Sequence, residues 1–262
     1  MVKSLLKSSH GFFGGKLAAL PKPDGTLRPI AVGDTLPRLT SKLAWETAAS
    51  DIRSYLEPIQ VGVGSKHGCD RIVHVVRQWL GRNRAAKDKV LISLDLANAF
   101  NTIDRAAVLA GVRRVCPSMA PWIDASYSQD SVLLLGTNEL TSSRGVQQGD
   151  PAGPAVFALG IQEDILEAKA RTDQEYPTEL YFVAFFLDDG TAAGTSQAVK
   201  HFLDVLLTRL RGKGMEANVG KCVAVPSALD STDLQEADFP GMKFARDGNF
   251  KLLGAPIGDE EF

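Results

Sequence analysis

Apolar and polar positions along this chain follow two periods, one typical of strands and one typical of helices. Short apolar runs rich in branched and aromatic residues predict strands, and apolar residues three and four apart predict amphipathic helices. Strands are predicted over Lys16–Leu20, Leu27–Val32, Val90–Leu94, Ser131–Leu135, Leu140–Ser143, the run from Tyr181 to Asp189, a short segment after Lys221, and residues 249–258. Helices are predicted over residues 35–56, 70–80, 105–115, 120–127, 155–170 and 196–212.

Two aspartates precede predicted helices. Asp34 is predicted to cap the helix that begins at Thr35 and ends near Pro58. Asp150 and Pro151 have the N-cap and N1 chemistry for the helix beginning near Ala155. The loop that contains them, residues 144–154, has a second interpretation, because its glycines would let the backbone approach a ligand and Gln148 would offer an amide.

Asp-Gly pairs between apolar runs predict two β-hairpins, with turns at Asp24-Gly25 and at Asp189-Gly190. In the second hairpin, an aromatic strand ends in the adjacent carboxylates Asp188 and Asp189. Neighbouring side chains of a regular strand point to opposite faces, so two adjacent aspartates share one site only at a tight turn. A plain exposed turn would also explain Asp and Gly here.

A third carboxylate, Asp95, ends the apolar run Val90–Leu94. A charge at the end of a buried strand is either a helix cap or a functional group. Mg²⁺ takes carboxylate oxygens together with phosphates, and two such ions about 4 Å apart activate an attacking hydroxyl and stabilise a leaving pyrophosphate. Asp95, Asp188 and Asp189 therefore predict a metal-dependent site for nucleotidyl transfer.

Composition indicates the cellular environment of the protein and the kinds of partner it binds. The cysteines Cys69, Cys116 and Cys222 form no Cys-x-x-Cys pair, which favours a reducing, intracellular environment and leaves nucleus or cytoplasm open. No apolar run approaches the ~20 residues that span a bilayer, so no membrane partner is expected. Net charge is −2, but the first 44 residues contain seven Lys and Arg against two Asp and Glu. Lys22 and Arg28 flank the Asp24-Gly25 turn and either grip a triphosphate or lie on a solvated hairpin.

Six segments, read in order, resemble the successive motifs of reverse transcriptases: KPDGTLRPI, LISLDLANAFN, RGVQQGDPAGP, FLDDG, GMEANVGK and FKLLGAPIG. They are most similar to those of non-LTR retrotransposons, and the resemblance runs from about Lys16 to Gly258. It implies an α+β fold of the right-hand polymerase type. Fingers would cover residues 1–90, and residues 91–262 would form a palm, an antiparallel sheet backed by helices. A thumb is not evident.

The same resemblance implies RNA-directed DNA synthesis, in which deoxynucleoside triphosphates extend a DNA primer on an RNA template with two Mg²⁺ ions, or Mn²⁺ as a substitute. Asp95, Asp188 and Asp189 would bind the metal ions. The remaining implied roles are triphosphate binding by Lys22 and Arg28, exclusion of the ribose 2′-hydroxyl by Phe100, shaping of the nucleotide and template pocket by Gln148 and Gly149, protonation of pyrophosphate by Lys221, and the primer grip at Leu253 and Gly254.

Departures from the family pattern leave alternatives open. Leu187 stands where Ala is usual in non-LTR elements, and Asn101 where Asp is frequent. The absence of a thumb and of an endonuclease region predicts a longer parent protein. One alternative is a viral-type RNA-dependent RNA polymerase, against which the aromatic Phe100 argues. The others are a group II intron-type reverse transcriptase and a degenerate copy that binds nucleic acid without catalysis.

Overall fold

The computed structural model describes residues 12–22, 25, 27–228 and 236–259. Its strands are β1 Gly15–Pro21, β2 Leu27–Gly33, β3 Lys89–Leu94, β4 Ser131–Leu135, β5 Asn138–Ser142, β6 Leu180–Phe186, β7 Asp189–Thr195, β8 Val223–Pro226, β9 Lys243–Phe244, β10 Phe250–Leu252 and β11 Ala255–Ile257. Its α-helices are α1 Thr35–Leu56, α2 Gly68–Asn83, α3 Ala99–Thr102, α4 Arg105–Val115, α5 Ala120–Tyr127, α6 Gly153–Glu175 and α7 Ser196–Arg211. Short 3₁₀ helices cover Val219–Lys221 and Glu236–Asp238. The α+β class is confirmed. In this part of the chain, no helix combines the length and the apolar character needed to cross a bilayer.

Packing divides the chain into two compact units that interleave along the sequence. Unit 1 contains Met1–Tyr55 and Asn98–Ile161, and unit 2 contains Leu56–Ala97 and Gln162–Phe262. Each unit is therefore built from two separate stretches of sequence. The boundary between fingers and palm at residue 90 is a functional division, and it stays a prediction.

Unit 1 contains a four-stranded sheet in the order β2-β1-β4-β5. β1 and β2 form the predicted antiparallel hairpin, with Pro21 opposite Leu27; Asp24 of its expected turn lies outside the described residues. β4 pairs with β5 so that Leu135 faces Asn138. The turn is thus Gly136-Thr137 alone, and β5 begins at Asn138, two residues before the predicted strand start at Leu140. Gly136 has φ +61°, which lets the connection close in two residues.

Unit 2 contains a five-stranded sheet in the order β6-β7-β3-β8-β9, antiparallel except between β8 and β9. Leu91 of β3 packs in a core with Val76 and Trp79 of α2. Val90 and Ile92 point away from Leu91 and are also fully buried. Both faces of β3 are therefore covered, which explains why its sequence is a continuous apolar run rather than an alternating one.

The two capping predictions have different outcomes. α1 begins at Thr35, directly after Asp34, and ends at Leu56, near the predicted end at Pro58, while a cap by the Asp34 side chain stays a prediction. α6 begins at Gly153, so Asp150 lies three residues before it and is not the N-cap. The Asp150 carboxylate accepts hydrogen bonds from the Tyr127 hydroxyl at 2.6 Å, from the Ala152 amide at 3.0 Å and from the Ser41 hydroxyl. The Asp150 carboxylate thus bonds two distant segments of unit 1 as well as the local Ala152 amide.

Candidate active site

Asp188 and Asp189 lie at the connection between β6 and β7. Phe186 pairs with Asp189 and Phe185 with Gly190, so the two-residue loop is Leu187-Asp188. The prediction of a turn at Asp189-Gly190 is therefore wrong by two positions. Gly190 belongs to β7 instead, where a Cβ would lie 2.6 Å from Cε1 of the Phe185 ring. Glycine is required there because an aromatic ring on the neighbouring strand fills the space, rather than because the backbone turns.

Asp95 lies beside this hairpin because β3 pairs with β7. The antiparallel register places Leu94 opposite Gly190. Continued by one residue, the register places Asp95 opposite Asp189. The Asp95 carbonyl accepts a hydrogen bond from the Asn218 amide at 2.8 Å, which ties the end of β3 to the segment after α7. One edge of the unit 2 sheet thus carries all three predicted metal-binding aspartates.

The electrostatics of this edge reflect the proximity of the three carboxylates. Partial burial, followed by repulsion from Asp188 and from Asp95, raises the pKa of the Asp189 carboxyl from 3.8 to about 6. The side chain still reaches solvent. A carboxylate held near two like charges binds a proton, or another cation, more readily than an isolated one.

The residues present suit a hard divalent cation as donors, although they do not form a complete protein cage. No group of three or more His, Cys, Asp and Glu among the described residues is arranged to hold a metal ion by itself. Mg²⁺ is commonly held by one or two carboxylates, with water and substrate phosphates completing its octahedron. Asp95, Asp188 and Asp189 supply oxygen donors only, and their mutual repulsion favours a cation between them.

The three other predicted residues of unit 2 lie in a short 3₁₀ helix and in a hairpin loop. Lys221 is the last residue of the 3₁₀ helix Val219–Lys221. This helix begins directly after Asn218, whose amide bonds the Asp95 carbonyl. Leu253 and Gly254 are the two loop residues of a hairpin in which Leu252 pairs with Ala255. Both have positive φ, 51° and 83°, as a tight two-residue hairpin requires. The single strand expected over residues 249–258 is thus the hairpin β10–β11.

The predicted phosphate-binding cations lie on one hairpin of unit 1. Arg28 is opposite Leu20 in the β1–β2 register. Lys22 comes one residue after β1, so the alternation of a strand places it on the same face as Leu20 and Arg28. The Lys22 carbonyl accepts a hydrogen bond from the Gly25 amide at 3.0 Å, which tightens the connection.

The remaining candidates, also in unit 1, are positioned by close packing. The Phe100 ring stacks on buried Phe157, with centroids 4.3 Å apart and planes inclined by 14°. A Cβ on Gly149 would lie 2.0 Å from the Ala31 carbonyl oxygen, so this loop can lie against β2 only with glycine at that position. Gln148, next to it, is half-buried. The neighbouring Gln147 instead bonds the Phe13 carbonyl and the Ser131 hydroxyl, each at 3.1 Å.

Comparison with known families accounts for this arrangement. The model of the reverse transcriptase (RNA-dependent DNA polymerase) family matches residues 20–257. This chain belongs to the reverse transcriptase family. The six motifs read from the sequence all lie within or across that match.

The relatives of this reverse transcriptase domain include proteins of retrotransposable elements. It is 29% identical over 218 residues to the SLACS 132 kDa protein of Trypanosoma brucei gambiense, covering 78% of this chain and 17% of the relative. It is 24% identical over 206 residues to the Pol polyprotein of the type-2 retrotransposable element R2DM of Drosophila melanogaster, covering 76% of this chain and 19% of the relative. The domain thus spans less than a fifth of either protein. These similarities indicate a reverse transcriptase domain of the non-LTR type.

Solved structures share its fold at low sequence identity. Apo telomerase from Candida tropicalis, truncated from its C-terminal domain, superposes with a TM-score of 0.59 at 15% identity, over 98% of this chain and 57% of that one. An RNA polymerase complex from a double-stranded RNA virus gives a TM-score of 0.58 at 13% identity, over 83% of this chain and 21% of that one. These likenesses establish a polymerase-like fold.

One residue that holds the β6–β7 hairpin of this reverse transcriptase domain from outside was missed by sequence reasoning. Gln60 is fully buried, and its side chain bonds both backbone groups of Leu187. A local signal was present, because a glutamine stands between the apolar Ile59 and Val61 and just before a run of glycines. Only the structure identifies its partner, which is 127 residues away.

Proposed function

We propose that this chain is the catalytic core of an RNA-directed DNA polymerase that extends a DNA primer on an RNA template. The observation that carries the proposal is the register of β3 and β7, which brings Asp95 opposite Asp189 and beside Asp188 in a member of the reverse transcriptase family. The relatives from retrotransposable elements support an origin in a non-LTR retrotransposon.

The reaction joins the 3′ oxygen of the primer to the α-phosphorus of a deoxynucleoside triphosphate and releases pyrophosphate. Divalent ions, Mg²⁺ or Mn²⁺, would supply Lewis acidity to the attacking hydroxyl and to the leaving phosphates. Asp95, Asp188 and Asp189 would hold them as oxygen ligands. A bound cation would offset the repulsion that Asp189 experiences from Asp188 and Asp95.

The other candidates orient the substrates. Lys22 and Arg28 neutralise the triphosphate through charge-assisted hydrogen bonds. The Phe100 ring excludes a ribose 2′-hydroxyl, while Gln148 and Gly149 shape the nucleotide pocket. The remaining roles are donation of a proton to pyrophosphate by Lys221 and support of the primer by Leu253 and Gly254. These roles follow from the family resemblance.

Nucleic acids are the partners that this function requires. Telomerase from Candida albicans, which shares the fold with a TM-score of 0.62, has been solved in complex with a fragment of telomeric RNA. That complex supports an RNA partner for this chain as well. The relatives from retrotransposable elements are longer than the region they share with this chain, which covers 17% and 19% of them.

Primer extension on an RNA template tests the proposal. Deoxynucleotides and ribonucleotides are compared with Mg²⁺ and then with Mn²⁺, and the variant Asp188→Asn serves as the blank. We expect deoxynucleotide-dependent extension that falls at least ~100-fold in the variant, because even outer partners of metal ligands are worth about 10- to 100-fold.

The matched control is Asp204→Asn, which removes an exposed carboxylate on α7. It should leave extension unchanged. Full activity in Asp188→Asn, or equal losses in both variants, would reject the assignment of the hairpin aspartates.

A further inference from the structure

The β6–β7 hairpin contains an unfavourable backbone conformation next to its carboxylates. Leu187, the first loop residue, has φ +60°, a region that two-residue hairpins normally reserve for glycine or asparagine. A side-chain-bearing residue stays in this conformation only where its surroundings hold it there. The carbonyl of Leu187 is part of the peptide unit that leads into Asp188, so its orientation sets the direction of the Asp188 side chain.

One buried amide holds both backbone groups of Leu187. The Leu187 N–H donates to Gln60 Oε1 at 2.7 Å, and Gln60 Nε2 donates to the Leu187 carbonyl at 3.0 Å. The Gln60 side chain is fully buried, so water does not compete for these bonds. A single side chain thus fixes both peptide planes of the loop residue.

The segment that carries Gln60 is itself attached to the hairpin. The Val61 amide donates to the Phe185 carbonyl at 2.8 Å, and the Phe185 amide donates to the Ile59 carbonyl at 2.7 Å. These backbone bonds place Gln60 alongside the end of β6. Its side chain therefore reaches the loop from a fixed base rather than from a mobile connection.

Gly62 packs closely against the Leu187 backbone. A Cβ at this position would lie 2.6 Å from the Leu187 nitrogen and 2.9 Å from Leu187 Cγ. The Gly62 amide also donates to Gln60 Oε1 at 3.2 Å. Gln60 thus binds the Leu187 backbone through hydrogen bonds, and the missing side chain of Gly62 leaves space for it.

We propose that Gln60 is a positioning residue that holds the Leu187-Asp188 loop so that the Asp188 and Asp189 carboxylates bind a divalent cation. The inference rests on the proposed function of those carboxylates. The two Gln60 hydrogen bonds fix both backbone groups of Leu187 and so hold the loop that carries Asp188 next to Asp189. Gln60 itself contacts backbone and not substrate.

The variant Gln60→Met removes both hydrogen bonds while keeping side-chain length. Its matched control is Gln162→Met, since Gln162 is also buried in unit 2 and donates to a backbone carbonyl, that of Leu56, at 3.2 Å. Both variants should lose thermal stability. Only Gln60→Met should change the hairpin and its affinity for a cation.

Two measurements separate the variants without relying on polymerase activity. In metal-free protein labelled with ¹⁵N-leucine, hydrogen exchange at the Leu187 amide should become about tenfold faster in Gln60→Met, as expected when a net hydrogen bond is lost. Mn²⁺ binding, followed by electron paramagnetic resonance, should weaken by about the same factor. Gln162→Met should match the unmodified chain in both.

A conservative variant and a second site guard against misfolding of Gln60→Met. Gln60→Glu keeps an oxygen acceptor for the Leu187 N–H and should restore slow exchange at that amide. Gly62→Ala pushes a methyl group against the Leu187 backbone while keeping the Gln60 side chain in the sequence, and it should weaken Mn²⁺ binding. Gly81→Ala on α2, where a Cβ meets nothing within 4 Å, is its control.

The proposal is overturned if the two Gln→Met variants change Leu187 exchange and Mn²⁺ affinity equally, or if neither changes them. Failure of the proposed function would give a different experimental result. The unmodified chain would then bind Mn²⁺ through the hairpin but extend no primer, and the exchange and binding results would still decide the role of Gln60.

Discussion

The Asp189 carboxyl retains a proton more strongly in the folded chain than in the unfolded chain. Its pKa rises from 3.8 to about 6 because of partial burial and the charges of Asp188 and Asp95. A group whose pKa is raised on folding contributes most to stability below its unfolded pKa, and that contribution is lost as the pH rises through the folded pKa. For Asp189, the loss falls between about pH 4 and about pH 6.

A carboxyl titration by NMR in metal-free protein checks this shift. We expect Asp189 to titrate with a midpoint near 6, and we expect Asp188→Asn to lower that midpoint because one like charge is removed. Asp204→Asn, on α7, should leave it unchanged. Since a metal ligand must be deprotonated, cation binding should weaken as the pH falls below about 6. A midpoint near 4 in the unmodified chain would mean that the carboxylates are farther apart than the register indicates.

Phe100 is the residue on which sugar selection is expected to depend. Its ring is held by stacking on Phe157, so it presents a fixed obstacle rather than a mobile side chain. Phe100→Ala should raise the incorporation of ribonucleotides relative to deoxynucleotides by about 10- to 100-fold, the range in which a pocket discriminates small groups. Both incorporation rates are measured with the same protein sample. A loss of folded protein lowers both rates equally and leaves their ratio unchanged. Phe12→Ala, which removes an exposed ring, should leave the ratio unchanged; the same ratio in Phe100→Ala would remove the gate role.

Among the elements, the β1–β2 hairpin shows how a strand pair concentrates charge. Strand alternation, continued one residue past the end of β1, places Lys22 on the same face as Arg28, although five residues lie between them in sequence. The hairpin backbone carries the pairing, so these side chains remain available for a ligand. A face with two cations suits a polyanion such as a triphosphate.

The substitution Arg28→Ala should therefore raise KM for deoxynucleoside triphosphate about tenfold or more, since a hydrogen bond to a charged group is worth about 1.5–3 kcal/mol. Steady-state primer extension at varied nucleotide concentration gives the value. Lys42→Ala is the control, because Lys42 is an exposed cation of α1 paired with Glu46 at 4.0 Å. Equal KM values for Arg28→Ala and the unmodified chain would leave the hairpin as an ordinary surface feature.

The β6–β7 hairpin shows the opposite case, in which packing rather than local preference places the turn. Asp-Gly is a favourable turn pair, yet it lies at the start of β7. The Phe185 ring needs the space at residue 190, and Gln60 stabilises the unfavourable φ of Leu187. As a result, Asp188 lies in the loop and Asp189 lies opposite the extension of β3.

For the whole molecule, the two packing units are each assembled from two distant stretches of chain. Contacts of this kind are costly in loop entropy and form late compared with local structure. The polymerase-like fold is shared with proteins of 13–15% identity, so it depends on the pattern of buried positions more than on particular residues. The domain matches one region of its relatives, which are several times longer than this region.

The sequence alone determined the existence and type of the main strands and helices, because the periods of two and of 3.6 residues are local properties. It also determined the family, because six motifs in order are a property of the chain and not of its folding. The placement of Asp95, Asp188 and Asp189 near one another was expected from the motifs, and the strand register agrees with it.

Tertiary structure decided the features that depend on distant partners. The carboxylate of Asp150 bonds Ser41, 109 residues away, instead of capping α6. Gly190 is required by Phe185, and the conformation of Leu187 by Gln60 at a separation of 127 residues. A local pattern carries no information on which side chain will fill a given space or satisfy a given backbone group. Those contacts exist only once the sheet has brought the segments together.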